Sequence, residues 1–265
     1  MLDTNWVQPP FNIVRAAHAE YVVTDLEKAR AFYVDLLGFV LSEETSDALY
    51  LRGYEERLHH SLVLLLGPTP AVDHVAFRVA SPSDLDLLER FYDALECPVL
   101  WVRAKEAGQA QAFPPGERLW AAWMYRKPSV HDVALMNGVG PRLHHVAFWM
   151  SDASSILRTC DILAAAGQGA AIERGPGRHG IANAFFLYLR DPDGHRIELY
   201  TSDYFTGDPD FEPIRWSIND PRRATFWGHI APPSWFEEAS CIMGLDGKTM
   251  PTQPALLKER PQTVT

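Results

Sequence analysis

One arrangement of hydrophobic and polar positions recurs along the chain. In residues 15–39 an alternating stretch precedes a possible cap at Thr24 or Asp25, then an apolar stripe, then Gly38. The stripe has helical spacing and consists of Leu26, Ala29, Phe32, Tyr33 and Leu36. Alternation indicates a half-buried strand, spacing of three and four indicates a helix, and glycine suits the position after a helix. The pattern therefore predicts a strand, a capped helix and a stop.

The same pattern returns twice. Residues 72–96 repeat it with Ser81 as cap and Pro82 in the first helical turn, and residues 142–167 repeat it with Ser151 or Asp152 as cap. In the last copy the helix is followed by three strand-like pieces, "AIERG", "AFFLYLR" and "HRIELY". A strand, a helix and three strands make a βαβββ unit that is seen at least three times. We expect an α+β fold of βαβββ modules whose curled mixed sheets face each other in pairs and leave a pocket.

The repeats divide the chain into four predicted regions. We expect an N-terminal module at 12–70, a second and fused module at 71–137, and a C-terminal module at 141–200. Residues 201–265 do not continue the repeat and are rich in aromatic residues, proline and turn formers. They are predicted to form an irregular cover and a tail.

Composition narrows the partners and the compartment. The net charge of −10 argues against nucleic acid as the main partner. The longest aliphatic run, Leu62–Leu66, is too short to span a membrane, and the first residues show no secretory signal. Three scattered cysteines without a C-x-x-C pair argue for a reducing compartment and against a thiolate zinc site. A cytoplasmic protein is expected.

Candidate chemistry begins with Glu198, a carboxylate in the half-buried strand of "LRDPDGHRIELY". A buried carboxylate must be hydrogen-bonded, paired or bound to a metal. His145 lies on the first strand of the same unit, and the two side chains meet inside the curled sheet if the strands pair as the repeat implies. One imidazole and one carboxylate suit a divalent first-row metal, and a second histidine would complete the facial triad of non-haem Fe(II) oxygenases. A plain His–Glu hydrogen bond in a polar core is the alternative.

Residues 118–240 resemble a known family. The matching stretches are "WAAWMYRKPSVHDVAL", "GPRLHHVAF", "IERGPGRHGIANAFFLYLRDPDGHRIELYTSDYFTGDPD" and "PPSWFEEAS". They resemble the C-terminal half of the extradiol ring-cleaving dioxygenases of the vicinal oxygen chelate superfamily, with the homoprotocatechuate (3,4-dihydroxyphenylacetate) 2,3-dioxygenases nearest. Residues 12–96 resemble the N-terminal domain of these enzymes less closely.

The resemblance implies an enzyme that opens a catechol ring with both atoms of O2. Its substrate would be 3,4-dihydroxyphenylacetate and its cofactor Fe(II), with Mn(II) as the alternative. It also implies a homo-oligomer, a tetramer or a dimer.

Carried over by position, the resemblance makes His145 and Glu198 metal ligands. His131 matches a histidine that handles protons near bound oxygen, Tyr188 a tyrosine beside the substrate oxygens, and His179 a histidine near that tyrosine.

Other matches concern the substrate. Trp123 and Trp235 match aromatic residues that line the pocket, and Arg174 matches a basic residue facing the substrate carboxylate. A second arginine falls in "DPRRATFWG", where the register leaves both Arg222 and Arg223 open.

Each of these residues also has an ordinary structural interpretation. By composition alone Tyr188 and Trp123 are core aromatics, Arg174 belongs to a solvated loop, and His131 is a structural histidine. Their joint occurrence in the family's order favours the functional interpretation.

The chain departs from the family at the first histidine ligand. The stretch that carries it in the family is missing between residues 96 and 118, together with about one module's worth of chain. The fused unit begins with His74 in "AVDHVAFRV", at the position that His145 takes in "RLHHVAF" and His18 in the first unit. His74 is a candidate replacement ligand. The alternative function is a non-oxygenase or inactive member of the superfamily with an incomplete metal site.

Overall fold

A computed structural model describes residues 10–94, 121–124, 130–205, 210, 214, 216 and 220–255. Their strands form two five-stranded sheets and two small two-stranded sheets. Within this described part, no helix combines the length and the hydropathy needed to cross a membrane.

The first large sheet is built by the N-terminal repeat. Its elements are β1 (Ile13–Val23), α1 (Leu26–Arg30, continued by a π-helical turn at Ala31–Leu36), β2 (Val40–Glu44), β3 (Ala48–Arg52) and β4 (Leu62–Leu66). The strand order is β2-β3-β4-β1, with β1 parallel to β4. A fifth strand, β5 (Ala71–Val79), pairs antiparallel with β1 at the edge and leads into α2 (Pro82–Ala94).

The second large sheet is built by the C-terminal repeat. Its elements are β9 (Val146–Trp149), α3 (Ala153–Ala165), β10 (Ile172–Arg178), β11 (Phe185–Arg190) and β12 (Arg196–Thr201). The order β10-β11-β12-β9, with β9 parallel to β12, matches that of the first unit strand for strand.

Short elements complete the described chain. Before β9 come β6 (Ala121–Met124) and β7 (Val133–Met136), which pair with each other, and β8 (Arg142–Leu143). After β12 come β13 (Trp227–Gly228), α4 (Pro233–Glu237) and β14 (Ser240–Cys241). β13 extends the second sheet beside β10, and β14 pairs with β8.

Helix starts follow the predicted caps. The Asp25 carboxylate accepts a hydrogen bond from the Lys28 amide at 3.0 Å, and the Asp152 carboxylate accepts one from the Ser155 amide at 2.7 Å. Such a cap satisfies a backbone donor that the first helical turn leaves free. Of the two candidates at each helix, the aspartate is therefore the cap.

The two units share one hydrophobic core. Phe39 packs edge-to-face on Phe148 with ring centroids 4.9 Å apart, and side chains of both units belong to the same buried cluster. Polar contacts cross the same boundary: the Tyr33 hydroxyl donates to Asp191 at 2.9 Å, and His195 Nε2 lies 2.9 Å from the Val22 carbonyl. Each large apolar side chain buried here contributes roughly 1.5–3 kcal/mol.

The structure confirms the α+β class, and its described residues form two complete βαβββ units with mixed sheets. The first strand of the predicted fused module, β5, joins the sheet of the N-terminal unit. The predicted boundaries at 12–70, 71–137, 141–200 and 201–265 stay predictions. Parts of the second and fourth regions lie outside the described residues.

Candidate active site

Three predicted site residues lie in one row across the second sheet. Arg174 on β10 is opposite Tyr188 on β11, and Tyr188 is opposite Glu198 on β12, whose other neighbour is Ala147 on β9. Residues opposite each other on paired strands project to the same face. All three side chains are buried, so the sheet places a cation, a phenol and a carboxylate side by side inside the protein.

His145 meets Glu198 as predicted. It precedes β9 and lies two residues before Ala147, so it projects to the same face as the row. Its Nε2 is 3.2 Å from a carboxylate oxygen of Glu198. Burial opposes the charged form of Glu198, but the hydrogen bond and charge of His145 with further partners prevail, and the pKa of the carboxyl is lowered.

The protons around His145 can be assigned from its neighbour His144. His144 Nε2 lies 2.8 Å from the Trp235 carbonyl, which can only accept, so that nitrogen carries the proton. Burial, followed by the neighbouring His145, lowers the pKa of His144 to about 2, so its ring is neutral and its Nδ1 is an acceptor. That atom is 2.6 Å from His145 Nδ1, which therefore donates. With Nδ1 directed at His144, Nε2 is the nitrogen of His145 that faces the Glu198 carboxylate.

This donor set fits a divalent metal. Two lone-pair donors facing each other at 3.2 Å repel unless a cation or a proton lies between them. An imidazole whose other nitrogen is held by an outer partner is the usual form of a histidine ligand. His145 and Glu198 would therefore be the protein ligands of one ion.

The structure does not bring His74 to this pair. His74 lies on β5, in the first sheet, and its Nε2 is 2.9 Å from His18 Nε2. Of the described residues, the one set of three His, Cys, Asp or Glu side chains with ligand atoms within 4.8 Å of one another is Glu20, Asp73 and His74. His74 therefore does not complete the triad in this structure, contrary to the expectation, because its strand β5 pairs with β1 and not with β9.

Tyr188 and His179 form a hydrogen-bonded pair beside Glu198. His179 Nδ1 lies 2.7 Å from the Ala224 carbonyl and therefore carries the proton, which leaves Nε2 to accept from the Tyr188 hydroxyl at 3.0 Å. Burial lowers the pKa of His179 to about 4, and burial with the charge of Glu198 raises the pKa of Tyr188 well above its ordinary value. Both side chains are thus neutral near pH 7.

Arg174 is fully buried with part of its guanidinium unpaired. Its NH2 donates to Thr225 Oγ1 at 2.8 Å and to the Ala224 carbonyl at 3.3 Å, whereas Nε and NH1 are buried and have no hydrogen-bond partner among the described residues. The guanidinium lies 4.5 Å from the ring centre of Trp235. Burial lowers the pKa of Arg174. Unpaired buried donors of this kind suit an anionic ligand.

The structure separates the two other arginines. Arg223 is buried, and its Nε and NH2 have no partner in the described part of the chain. Arg222 is exposed and pairs with Asp220 at 2.7 Å. Geometry therefore favours Arg223 as the second cation.

The remaining predicted residues differ in their positions. Trp235 on α4 is buried and covers Tyr188, with ring centroids 4.3 Å apart. His131 precedes β7, and its Nδ1 is buried without a partner among the described residues. Burial lowers the pKa of His131, opposed by the nearby Glu198. Trp123 on β6 is 37% exposed. Among the described residues, no hydrogen bond or ring contact joins Trp123 to the row of Arg174, Tyr188 and Glu198.

Three supporting residues were not predicted from the sequence: His144, Arg196 and Glu173. His144 orients His145, as described above. Arg196 is buried beneath α4, where it pairs with Glu173 at 2.5 Å and donates to the Ser234 carbonyl at 3.2 Å and the His144 carbonyl at 3.1 Å. The signal was present, since Arg196 and Glu198 alternate onto one side of a strand that is otherwise apolar.

Known proteins share the fold and part of the sequence of this chain. Residues 15–199 match the model of the Glyoxalase/Bleomycin resistance protein/Dioxygenase superfamily. A substrate complex of homoprotocatechuate 2,3-dioxygenase from Brevibacterium fuscum is 38% identical, with a TM-score of 0.80 over 93% of this chain and 98% of that chain.

Two further relatives belong to the same group. The homoprotocatechuate 2,3-dioxygenase from Arthrobacter globiformis is 37% identical, with a TM-score of 0.79 over 93% of this chain and 97% of that one. A manganese-dependent 2,3-dihydroxybiphenyl 1,2-dioxygenase from Geobacillus genomosp. 3 is 28% identical over 81% of this chain and 93% of its own. The chain belongs to the Glyoxalase/Bleomycin resistance protein/Dioxygenase superfamily, as the resemblance to the vicinal oxygen chelate enzymes predicted, and its relatives there are extradiol ring-cleaving dioxygenases.

Proposed function

We propose that this chain is an extradiol dioxygenase that opens the ring of a catechol with both atoms of O2, and that 3,4-dihydroxyphenylacetate is its substrate. The row from Glu198 to Arg174 carries the proposal. A His–carboxylate pair lies at one end and an unpaired buried guanidinium at the other. Two strand spacings separate their backbones by roughly 10 Å. A catechol with a short carboxylate side chain has matching groups at its two ends.

Fe(II) or Mn(II) would be held by His145 and Glu198. The Mn(II) alternative is supported by the manganese-dependent relative. The bound ion would supply Lewis acidity toward the two catechol oxygens and the redox chemistry toward O2.

The chain's own residues bind the substrate and position protons. Arg174 and Arg223 would pair with the side-chain carboxylate, and charge-assisted pairs of this kind are the strong ones. The hydroxyl of Tyr188, whose proton is held by His179, lies beside Glu198, where its oxygen would accept a hydrogen bond from a catechol hydroxyl. His131, with its unpaired Nδ1, is the candidate for the proton handled during attack on the ring. Trp235 covers the ring of Tyr188, and Trp123 stays a predicted lining residue.

The substrate assignment is tested with Arg174→Gln. We expect the kcat/KM for 3,4-dihydroxyphenylacetate to fall at least ~30-fold, roughly one charge-assisted hydrogen bond, while plain catechol is cleaved as before. Product mass, equal to substrate plus both oxygen atoms, provides the assay. The same loss for both substrates would refute a carboxylate-binding role for Arg174.

A matched pair of variants tests the second arginine. Arg223→Gln should reduce selectivity for the carboxylated substrate, whereas the exposed Arg222→Gln should not. The reverse result would assign the role to Arg222. Wild-type protein that binds metal but opens neither ring would favour the alternative, a superfamily member with an incomplete site.

Two further proposals concern the assembly and the location of the protein. We infer a homo-oligomer from the family resemblance, which light scattering of the purified chain tests directly. A cytoplasmic location is supported by the scattered cysteines, of which Cys160 and Cys241 are free thiols.

A further inference from the structure

Glu20, Asp73 and His74, which we name the β1–β5 cluster, lie together in the first sheet, away from the row on the second sheet. We propose that the β1–β5 cluster is a second divalent metal site, which takes a first-row ion such as Zn2+. This proposal does not depend on the proposed dioxygenase function.

A β-bulge creates the cluster. Glu20 on β1 is opposite His74 on β5, but the next residue, Tyr21, is opposite Val72, so Asp73 is an extra residue in β5. In a regular strand Asp73 and His74 would project to opposite faces. A bulge places two residues of one strand against one of its partner and redirects their side chains. The two side chains consequently meet, with Asp73 Oδ2 2.7 Å from His74 Nδ1.

The distances suit one ion. One ligand atom from each of the three side chains lies within 4.8 Å of the others. Ligands of a first-row ion are separated by at most about twice 2.0–2.2 Å, so small rotations of these side chains complete the geometry. Two carboxylates and one imidazole form a donor set that divalent first-row ions accept.

His18 supplies the outer partner that a metal-bound histidine needs. His74 Nε2 lies 2.9 Å from His18 Nε2. If His74 Nε2–H donates to His18, the lone pair of His74 Nδ1 faces the carboxylate of Asp73, and a cation between them relieves the repulsion. Histidine ligands are usually held in this way through their second nitrogen.

Solvent access suits exchange of the ion. The side chains of His74 and Asp73 are 45% and 40% exposed, so water can fill the remaining coordination positions. A divalent ion would neutralise the two negative charges of Glu20 and Asp73. The competing arrangement needs no ion: the His74 Nδ1–H donates to Asp73, and His18 donates to His74 Nε2.

The experiment uses the full chain carrying Glu198→Gln, which removes the carboxylate of the other site. Zn2+ alone is titrated by calorimetry, and the melting temperature is followed with and without Zn2+. We expect one Zn2+ per chain and a melting temperature that rises with Zn2+. Adding His74→Gln or Asp73→Asn should lower Zn2+ affinity at least tenfold and abolish the rise.

A nearby histidine provides the control. His59 lies in the same unit and pairs with Glu43 at 3.2 Å, so His59→Gln should bind Zn2+ like its parent. Unchanged Zn2+ binding in both His74→Gln and Asp73→Asn, or loss in His59→Gln instead, would overturn the site. A parent chain that does not respond to Zn2+ would also overturn it and favour the hydrogen-bonded Asp73–His74–His18 arrangement. Ring cleavage is not measured, so failure here leaves the proposed function untouched.

Discussion

The first and last units have the same strand order and carry different chemistry. His18 and His145 occupy equivalent positions in the repeat. The neighbour of Ala147 across the sheet is Glu198, whereas the neighbour of Glu20, which is equivalent to Ala147, is Val63. In the last unit the carboxylate is therefore on the fourth strand, and in the first unit it is on the first strand. The two units therefore share one backbone arrangement but differ in the strand that carries the carboxylate.

The two arrangements also differ in what covers them. In the last unit, α4 places Trp235 over Tyr188, and Arg196 anchors α4 through backbone carbonyls. In the first sheet, the side chains of His74 and Asp73 in the β1–β5 cluster stay partly exposed. Burial removes water and strengthens charge interactions. We therefore expect the last unit to carry the catalytic site and the first unit an exchangeable one.

The largest effect should follow from Glu198→Gln. Replacing the carboxylate by a neutral amide removes the charged ligand, so the last unit should lose Fe(II) or Mn(II) affinity by at least ~100-fold, with ring cleavage lost in parallel. Metal analysis after dialysis against a weak chelator measures it. Asp86→Asn, on the surface of α2, is the control and should match wild type. Retention of wild-type metal content by Glu198→Gln would contradict the assignment.

A smaller effect is expected from Glu173→Gln. Arg196 is fully buried and its charge is balanced by Glu173, so the amide leaves that charge uncompensated, at a cost of about 3 kcal/mol of unfolding free energy. Denaturant unfolding followed by tryptophan fluorescence measures it. Glu238 also pairs with Arg190 but is 62% exposed, so Glu238→Gln should cost under ~1 kcal/mol. Equal losses of unfolding free energy in the two variants would show that the buried Arg196–Glu173 pair does not anchor α4.

The same pair predicts a pH dependence. Burial opposes the charged form of Glu173, but hydrogen bonds from Arg196, Arg190 and Ser234 prevail and lower its pKa to about 2. A carboxyl whose pKa is lowered by folding stabilises the fold above its ordinary pKa of about 4.5, and that contribution is lost as the pH falls toward 2. The stability difference between wild type and Glu173→Gln should therefore be full at pH 7 and shrink below about pH 4.5. A difference that is constant from pH 7 to pH 3 would contradict this.

The sequence predicted the repeat and its local elements well. Capping residues, apolar spacing and glycine stops act within a few residues, so the helices beginning at Leu26, Pro82 and Ala153 are found where the pattern indicated them. The meeting of His145 with Glu198 was also predictable, because strand alternation fixes the face and the repeat fixes the pairing.

Other features depend on contacts that no local pattern records. The position of β5 in the first sheet depends on long-range strand pairing. The sequence pattern around His74 predicts a strand but does not say which sheet that strand joins. The bulge at Asp73 and the burial of Arg223 rather than Arg222 likewise depend on packing against distant segments. The role of His144 follows from one carbonyl on α4, far along the chain.

The smallest predicted effect concerns the contact between the two units. The Tyr33 hydroxyl of the first unit donates to the buried Asp191 of the last at 2.9 Å, while the other oxygen of Asp191 accepts from the amides of Asp193 and His195. Tyr33→Phe keeps the ring packing and removes one hydrogen bond to a charged group, which should cost about 1.5 kcal/mol. The half-buried Tyr50→Phe, within the first unit, should change stability by less than ~0.5 kcal/mol. Equal values for the two variants would mean that the Tyr33–Asp191 hydrogen bond does not stabilise the contact between the units.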